Sequence, residues 1–306
     1  MSQSLLRRGI LAAAESETVA RFVHRYGPNL GAFRFVAGNT LDETVPVLRE
    51  LNRRGLSVTL DRLGEGEVDS AYADQAEAAY LAILDRIALE QLDSHVSLKL
   101  TQLGLDLDRE AAKARLVAIV SKAEAQGSFV RVDMEDSRHT ETTVSLFMEL
   151  RPDHPGIGLV IQSYLRRSEA DMRELARLRA NVRVVKGAYL EPPAVAFPDK
   201  AEVDENFKRL VAMHLEAGCY TAVATHDPAL IAFTEDFTRS HGIGPDRFEF
   251  QMLFGIRPAL QQTLAEKGYR VRVYVPFGPD WYPYFMRRLA ERPANLGFFL
   301  KNLARR

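Results

Sequence analysis

Scarcity sets the first limits on this chain. Of 306 residues, one is cysteine and one is tryptophan. The lone thiol, Cys219, can form no internal disulfide, which fits a reducing compartment such as the cytoplasm. The formal net charge is -1, so neither nucleic acid nor an anionic membrane surface is expected as a partner. Long hydrophobic runs are missing as well. The apolar run within Ser4 to Ala14 stops at Glu15, with Glu17 following. It is too short to span a bilayer and makes a poor signal peptide, so it reads as an amphipathic helix. Two glycines, Gly64 and Gly66, flank Glu65, but no third follows at the right step, which excludes the dinucleotide fingerprint and the phosphate loop. The seven histidines form no H-x-H or H-E-x-x-H pair, so metal-assisted hydrolysis lacks a ligand set.

What is present is a regular alternation. The chain is 46% hydrophobic and 26% charged, ordinary for a globular protein. Two helices come first, roughly Ser4–Arg25 and Asp42–Arg53. In the second, Val45, Leu48 and Leu51 recur at helical spacing and Gly55 closes it. Apolar strand candidates follow at Leu56–Leu63, His95–Leu100, Phe129–Met134, Ile157–Ser163, Val182–Lys186, Tyr220–Thr225, Arg247–Leu253 and Tyr269–Val275. Helical segments lie between them, among them Ala71–Gln91, Arg109–Gln126, Thr140–Leu150, Glu169–Arg179, Glu202–Ala217 and Pro228–Ser240. Asp108 and Ser168 read as N-caps, and Pro228 suits a first helical position after Asp227. Eight strand–helix units without an intervening linker predict an α/β fold, a closed (β/α)8 barrel in one domain over 1–306. An open doubly wound sheet is the alternative.

In such a barrel, catalytic groups gather at the carboxyl ends of the strands. Those exits carry Asp61, Lys99, Asp133, Gln162, Lys186, His226 with Asp227, Gln251 and Tyr274. The stretch Asn181 to Tyr189 shows the pattern most clearly. A β-branched strand passes into Lys186, then into Gly187 and Ala188, which leave room for a molecule to approach the backbone, then into Tyr189. A retaining glycosidase would need two carboxylates in register, and the fourth strand offers Gln162 instead. A Schiff-base lysine at Lys99 or Lys186 stays open. After the eighth strand, Asp280 to Glu291 forms an aromatic helix with adjacent arginines, Arg287 and Arg288. These point about 100° apart and can grip a small anion held close to the helix. Glu291 lies one turn beyond Arg287 and can steady it.

The motifs Ser97-Leu98-Lys99-Leu100, Arg131 to Glu135, Val184 to Tyr189, Ala224 to Asp227, Glu249 to Leu253 and Tyr274-Val275-Pro276, followed by Arg287, Arg288 and Glu291, resemble the proline dehydrogenase family. They run in order from the second strand to the last helix. The resemblance implies FAD lying across the mouth of a distorted barrel, oxidation of L-proline to Δ1-pyrroline-5-carboxylate, and transfer of the electrons to a quinone. It implies that Gln162, Arg183, Lys186, Gly187, Ala188, Thr225 and His226 hold FAD, with Met134 contributing backbone. It places Lys99, Asp133, Tyr189, Leu253, Tyr274, Arg287, Arg288 and Glu291 around proline. Family members often carry an asparagine directly after the acid of the arginine helix. Here Arg292 stands there and Asn295 comes later.

The chemistry agrees with that implication. Paired guanidiniums suit a carboxylate, and Tyr189, Leu253 and Tyr274 supply an apolar wall. Arg183 or Lys186 offsets charge that grows on flavin reduction. Asp133 is the best-placed carboxylate for the amine proton, with water as the alternative. With no aldehyde dehydrogenase module appended, a separate Δ1-pyrroline-5-carboxylate dehydrogenase is expected downstream. The expected location is the cytoplasm, with peripheral attachment to the inner face of the membrane left open. The loop Gly64 to Glu67 suggests a gate in which Glu65, or failing that Glu67, pairs with Arg287 or Arg288 and closes the pocket. Two rivals stay open, a Schiff-base aldolase-like barrel and a non-catalytic barrel that binds a small anion.

Overall fold

The computed structural model describes residues 16, 19–21, 23, 34–64 and 69–291, the last without its side chain. Most of the expected first helix lies outside the described residues. So do Glu65, Gly66 and Glu67, and with them the expected gate.

From residue 41 onward the elements alternate. They run α1 (Leu41–Arg53), β1 (Ser57–Arg62), α2 (Ser70–Leu89), β2 (Ser94–Leu98), α3 (Arg109–Ala125), β3 (Val130–Val132), α4 (Ser137–Leu150), β4 (Ile157–Gln162) and α5 (Ser168–Arg177). Then come β5 (Asn181–Val185), α6 (Lys200–Glu216), β6 (Thr221–Ala224), α7 (Pro228–Ser240), β7 (Phe248–Leu253), α8 (Pro258–Glu266), β8 (Val271–Phe277) and α9 (Trp281–Glu291). The strands are parallel and pair in sequence order. β8 closes on β1, with Ser57 opposite Arg272 and Arg62 opposite Phe277. That closure makes the sheet a barrel and removes the open-sheet alternative. Among the described residues no helix is long and apolar enough to cross a membrane.

Local chemistry explains where the helices start. Asp69, Asp108, Asp136, Asp199 and Asp227 each accept a hydrogen bond from a first-turn N–H, satisfying donors that a helix leaves unpaired. The expectation for Ser168 needs correction. The helix begins on this residue, after Arg167, and no side chain caps it. The Ser168 hydroxyl turns inward, donates to the Leu165 carbonyl at 2.7 Å and accepts from Asn206 Nδ2 at 3.0 Å. It ties α5 to α6 instead of capping.

Along each strand the side chains alternate between two different environments. Val58, Leu60, Val96, Leu98, Val130, Val132, Val182, Val184, Val273 and Val275 are buried in the apolar layer between barrel and helices. Each such burial stabilises by about 1.5–3 kcal/mol. The intervening positions face the barrel axis and are polar. Near its amino end, Arg272 Nε donates to Glu249 Oε1 at 3.0 Å. Arg131 Nη1 donates to the Asn181 carbonyl at 2.6 Å. Such buried charges are tolerated because each has partners. The polar interior continues upward into the site.

Candidate active site

At the carboxyl end of the barrel the strand exits surround one cavity of about 1070 Å³. Its floor is a node on Asp133, just past β3. Ser97 Oγ on β2 and Arg183 Nη1 on β5 both donate to Oδ1 at 2.6 Å. Tyr274 Oη on β8 donates to Oδ2 at 2.9 Å. All four are inward-facing positions of their strands, which is why strands from different parts of the chain can meet there. Arg183 also lies over the Tyr274 ring, 5.3 Å from its centre, a favourable cation–aromatic arrangement. Burial, followed by the charges of Asp133 and Asp61, pushes the Tyr274 phenol well above its ordinary range. Tyr274 therefore remains a donor.

Beside this node, Lys99 Nζ lies 3.5 Å from Asp61 Oδ1. Burial opposes charge on Lys99, but Asp61 and Asp133 outweigh it and raise its pKa. Lys99 is held as an ammonium and is a poor nucleophile. Burial is also the main influence on Asp61. It raises the carboxyl despite Lys99, and Asp133 adds to the effect.

The β5 exit forms the opposite wall. Lys186 Nζ contacts Asp204 at 2.5 Å and Asp227 at 3.1 Å. Lys200 reaches Asp227 at 3.6 Å and also pairs with Asp204. Gly187 follows at φ +117, and a Cβ built there would sit 2.2 Å from the Tyr164 ring. Only glycine fits that turn, because both the dihedral and the space exclude a side chain. The turn carries Ala188 and Tyr189 to the cavity, where Tyr189 is 39% exposed. Glu191 anchors the far side of this loop, accepting from the Ser137 N–H at 2.7 Å and its hydroxyl at 2.6 Å.

The remaining wall comes from β4, β6, β7 and α9. Gln162 Nε2 donates to the Glu135 carbonyl at 2.6 Å, and Glu135 accepts from the Thr101 hydroxyl at 2.6 Å. Thr225 Oγ1 accepts from the Asp227 N–H at 3.1 Å. His226 Nε2 accepts from the Leu253 N–H. Arg287 and Arg288 reach the cavity from α9, and Arg288 lies over the Tyr284 ring, 5.0 Å from its centre. Among the described residues no cluster of three or more His, Cys, Asp or Glu side chains is arranged to hold a metal ion.

Lys99, Asp133, Met134, Gln162, Arg183, Lys186, Gly187, Ala188, Tyr189, Thr225, His226, Leu253, Tyr274, Arg287 and Arg288 all line this cavity. Glu291 is the last residue of α9, and its side chain lies outside the description. Sequence reading gave no site role to Ser97, Asp204, Lys200 or Tyr164. Asp204 sits within a helix and Ser97 within a strand, so neither stands at an exit where polarity draws notice. Lys200 opens α6 directly after the Asp199 cap, and no local pattern marked it.

A sequence model of the proline dehydrogenase family matches residues 45–301. Proline dehydrogenase 1 of Bacillus subtilis (strain 168) is 47% identical over 302 residues, covering 99% of this chain and 100% of that one. Proline dehydrogenase of Deinococcus radiodurans is 42% identical over 310 residues, covering 99% of each. Among solved structures, proline utilization A from Bdellovibrio bacteriovorus, inactivated by N-propargylglycine, superposes with a TM-score of 0.83. It shares 25% identity and covers 95% of this chain and 36% of that one.

Proposed function

The chain belongs to the proline dehydrogenase family, and from that premise we propose how its barrel mouth oxidises L-proline to Δ1-pyrroline-5-carboxylate. FAD and proline share the cavity, and residues 1–306 act as one domain. The observation that carries this reading is the convergence of Lys99, Arg287 and Arg288 with the Tyr274, Tyr189 and Leu253 wall on one cavity. Three cations and an apolar wall match a ring that bears a carboxylate.

The residues fit the cofactor. A volume of about 1070 Å³ exceeds what a five-membered ring alone would fill, leaving space for a second, larger molecule. Arg183, Lys186 and Lys200 offer cations to an anionic cofactor, and the bare backbone at Gly187 allows close approach. When bound, FAD accepts the hydride from the ring carbon beside the amine.

The chain's own groups bind, orient and hold. Arg287, Arg288 and Lys99 grip the carboxylate. Tyr274 commits its hydroxyl to Asp133 and so turns its ring to the substrate. With three donors already on it, Asp133 is better fitted to fix Arg183 and Tyr274 than to collect a proton. Gln162, Thr225, His226 and the backbone of Met134 and Ala188 complete the cofactor side. Electrons then pass to a quinone, and a separate dehydrogenase consumes the product.

The test is a spectrum. Purified protein should show flavin absorbance that bleaches anaerobically on addition of L-proline and recovers with a quinone. Lys186→Met should lose flavin. A colourless protein that instead traps a carbonyl compound on Lys99 or Lys186 with borohydride would establish the Schiff-base reading.

A further inference from the structure

Asp61 closes the inward face of β1 and lines the cavity with 1% of its surface exposed. The other carboxylates around it are engaged. Asp133 holds three donors, Glu135 holds Thr101, and Asp227 holds Lys186. Asp61 is held less closely: its Oδ1 makes no close hydrogen bond among the described residues and meets Lys99 Nζ as an ion pair at 3.5 Å. A buried carboxylate oxygen whose nearest cation stands at 3.5 Å gains free energy when a ligand donor approaches more closely.

The pairing with Lys99 indicates which donor fits. A cyclic α-amino acid carries its carboxylate and its ring ammonium on the same carbon. Counter-ions for the two must therefore stand side by side, cation next to anion. Lys99 and Asp61 are such a pair, and Arg287 and Arg288 add further positive charge on the carboxylate side of the same cavity.

Resting on the reading of this cavity as the proline site, we propose that Asp61 is the counter-ion of the substrate's ring ammonium and the base that takes its proton. The ammonium N–H bond breaks and a bond from that proton to Asp61 Oδ1 forms. The freed nitrogen lone pair builds the C=N bond as hydride leaves the adjacent ring carbon, with its electron pair, for the bound flavin. The protonated acid then has an acceptor, because Tyr274 Oη is within hydrogen-bond reach of Asp61 and donates its own proton to Asp133. The charged and titratable groups facing Asp61 are Lys99 just past β2, Asp133 just past β3, Tyr274 from β8 and Tyr80 from α2. Tyr80 is committed to Gln102 at 3.0 Å, and Asp133 to its three donors. Burial keeps the carboxyl of Asp61 above the ordinary carboxylate range, which suits a proton acceptor.

The experiment compares L-proline with the analogue that has the same ring and carboxylate but an ether oxygen in place of nitrogen. Proline affinity is read from the concentration dependence of anaerobic flavin reduction in the loaded enzyme, and analogue affinity from the flavin spectrum. Asp61→Asn should weaken proline about tenfold or more, the scale of a lost charged hydrogen bond. It should also slow reduction at saturation and leave the analogue nearly unchanged. In the wild type, lowering the pH through the Asp61 range should weaken proline and spare the analogue. Equal loss of both ligands in the variant would overturn the proposal and leave Asp61 only a support for Lys99. Parallel pH dependence of the two ligands in the wild type would overturn it even if the variant failed to fold. If the wild type bound neither ligand, the proline reading of the cavity itself would fall.

Discussion

The amide N–H of Leu253 donates to Nε2 of His226 across 2.9 Å. A backbone N–H cannot accept, so this nitrogen is the acceptor and the ring carries its proton on Nδ1. The bond joins the β6 exit to the end of β7 and sets the position of Leu253 in the apolar wall. His226→Leu should leave that N–H unpaired at a cost of about 1–3 kcal/mol, seen as a lower Tm. His226→Gln, which offers an amide oxygen, should recover much of it. Equal Tm values for the two variants would show that the bond carries no weight.

Arg288 and Arg287 line the cavity from α9, where we propose that they hold the proline carboxylate. Arg288→Met should raise the KM for proline by about 10–150-fold, the value of a charged hydrogen bond of about 1.5–3 kcal/mol. Flavin content should stay near wild type. Normal proline affinity with lost flavin would move Arg288 from the substrate to the cofactor.

At Gly187 the backbone stands at φ +117 with the Tyr164 ring 2.2 Å from a would-be Cβ. Gly187→Ala combines backbone strain with a clash, each costing on the order of 1–3 kcal/mol. The loop carrying Tyr189 should shift, giving weaker flavin retention and a higher KM for proline together. A variant with wild-type flavin content and kinetics would show that the turn can open without consequence.

His139 lies between two carboxylates, with Nδ1 2.7 Å from Asp136 and Nε2 3.0 Å from Asp106. Burial opposes its charge, but Asp106 and then Asp136 prevail and raise its pKa. A group raised on folding contributes stability that is complete below its unfolded value of about 6.5 and fades as pH rises through the folded value. His139→Gln should therefore lower Tm most near pH 6 and least near pH 9. A deficit that is constant across this range would assign His139 to packing alone.

The sequence by itself determined the eight strand–helix units, and closure of the sheet into a barrel came from the pairing of β8 with β1. Apolar residues alternating with polar ones over short β-branched runs, aspartates opening helices and the absence of any linker are local signals, and each is decided within a few residues. Asp108 and the Asp227–Pro228 start are legible for that reason. The polar strand exits were legible too, since one rule of the fold places them all at one end.

Only the tertiary structure decided who meets whom. Asp133 takes its donors from Ser97, Arg183 and Tyr274, which are 36, 50 and 141 positions away. Strand stagger around a closed barrel sets those encounters, and no local pattern encodes stagger. The same holds for Lys186, whose partner Asp204 sits on a solvent-side helix pattern. Ser168 shows the converse. Its residue type suits a cap, but the packing of α5 against α6 claimed its hydroxyl first. Asp61 was readable as a polar strand exit. Its contact with Lys99 became visible only when β1 paired with β2, setting Asp61 opposite Ser97 and both exits toward the barrel axis.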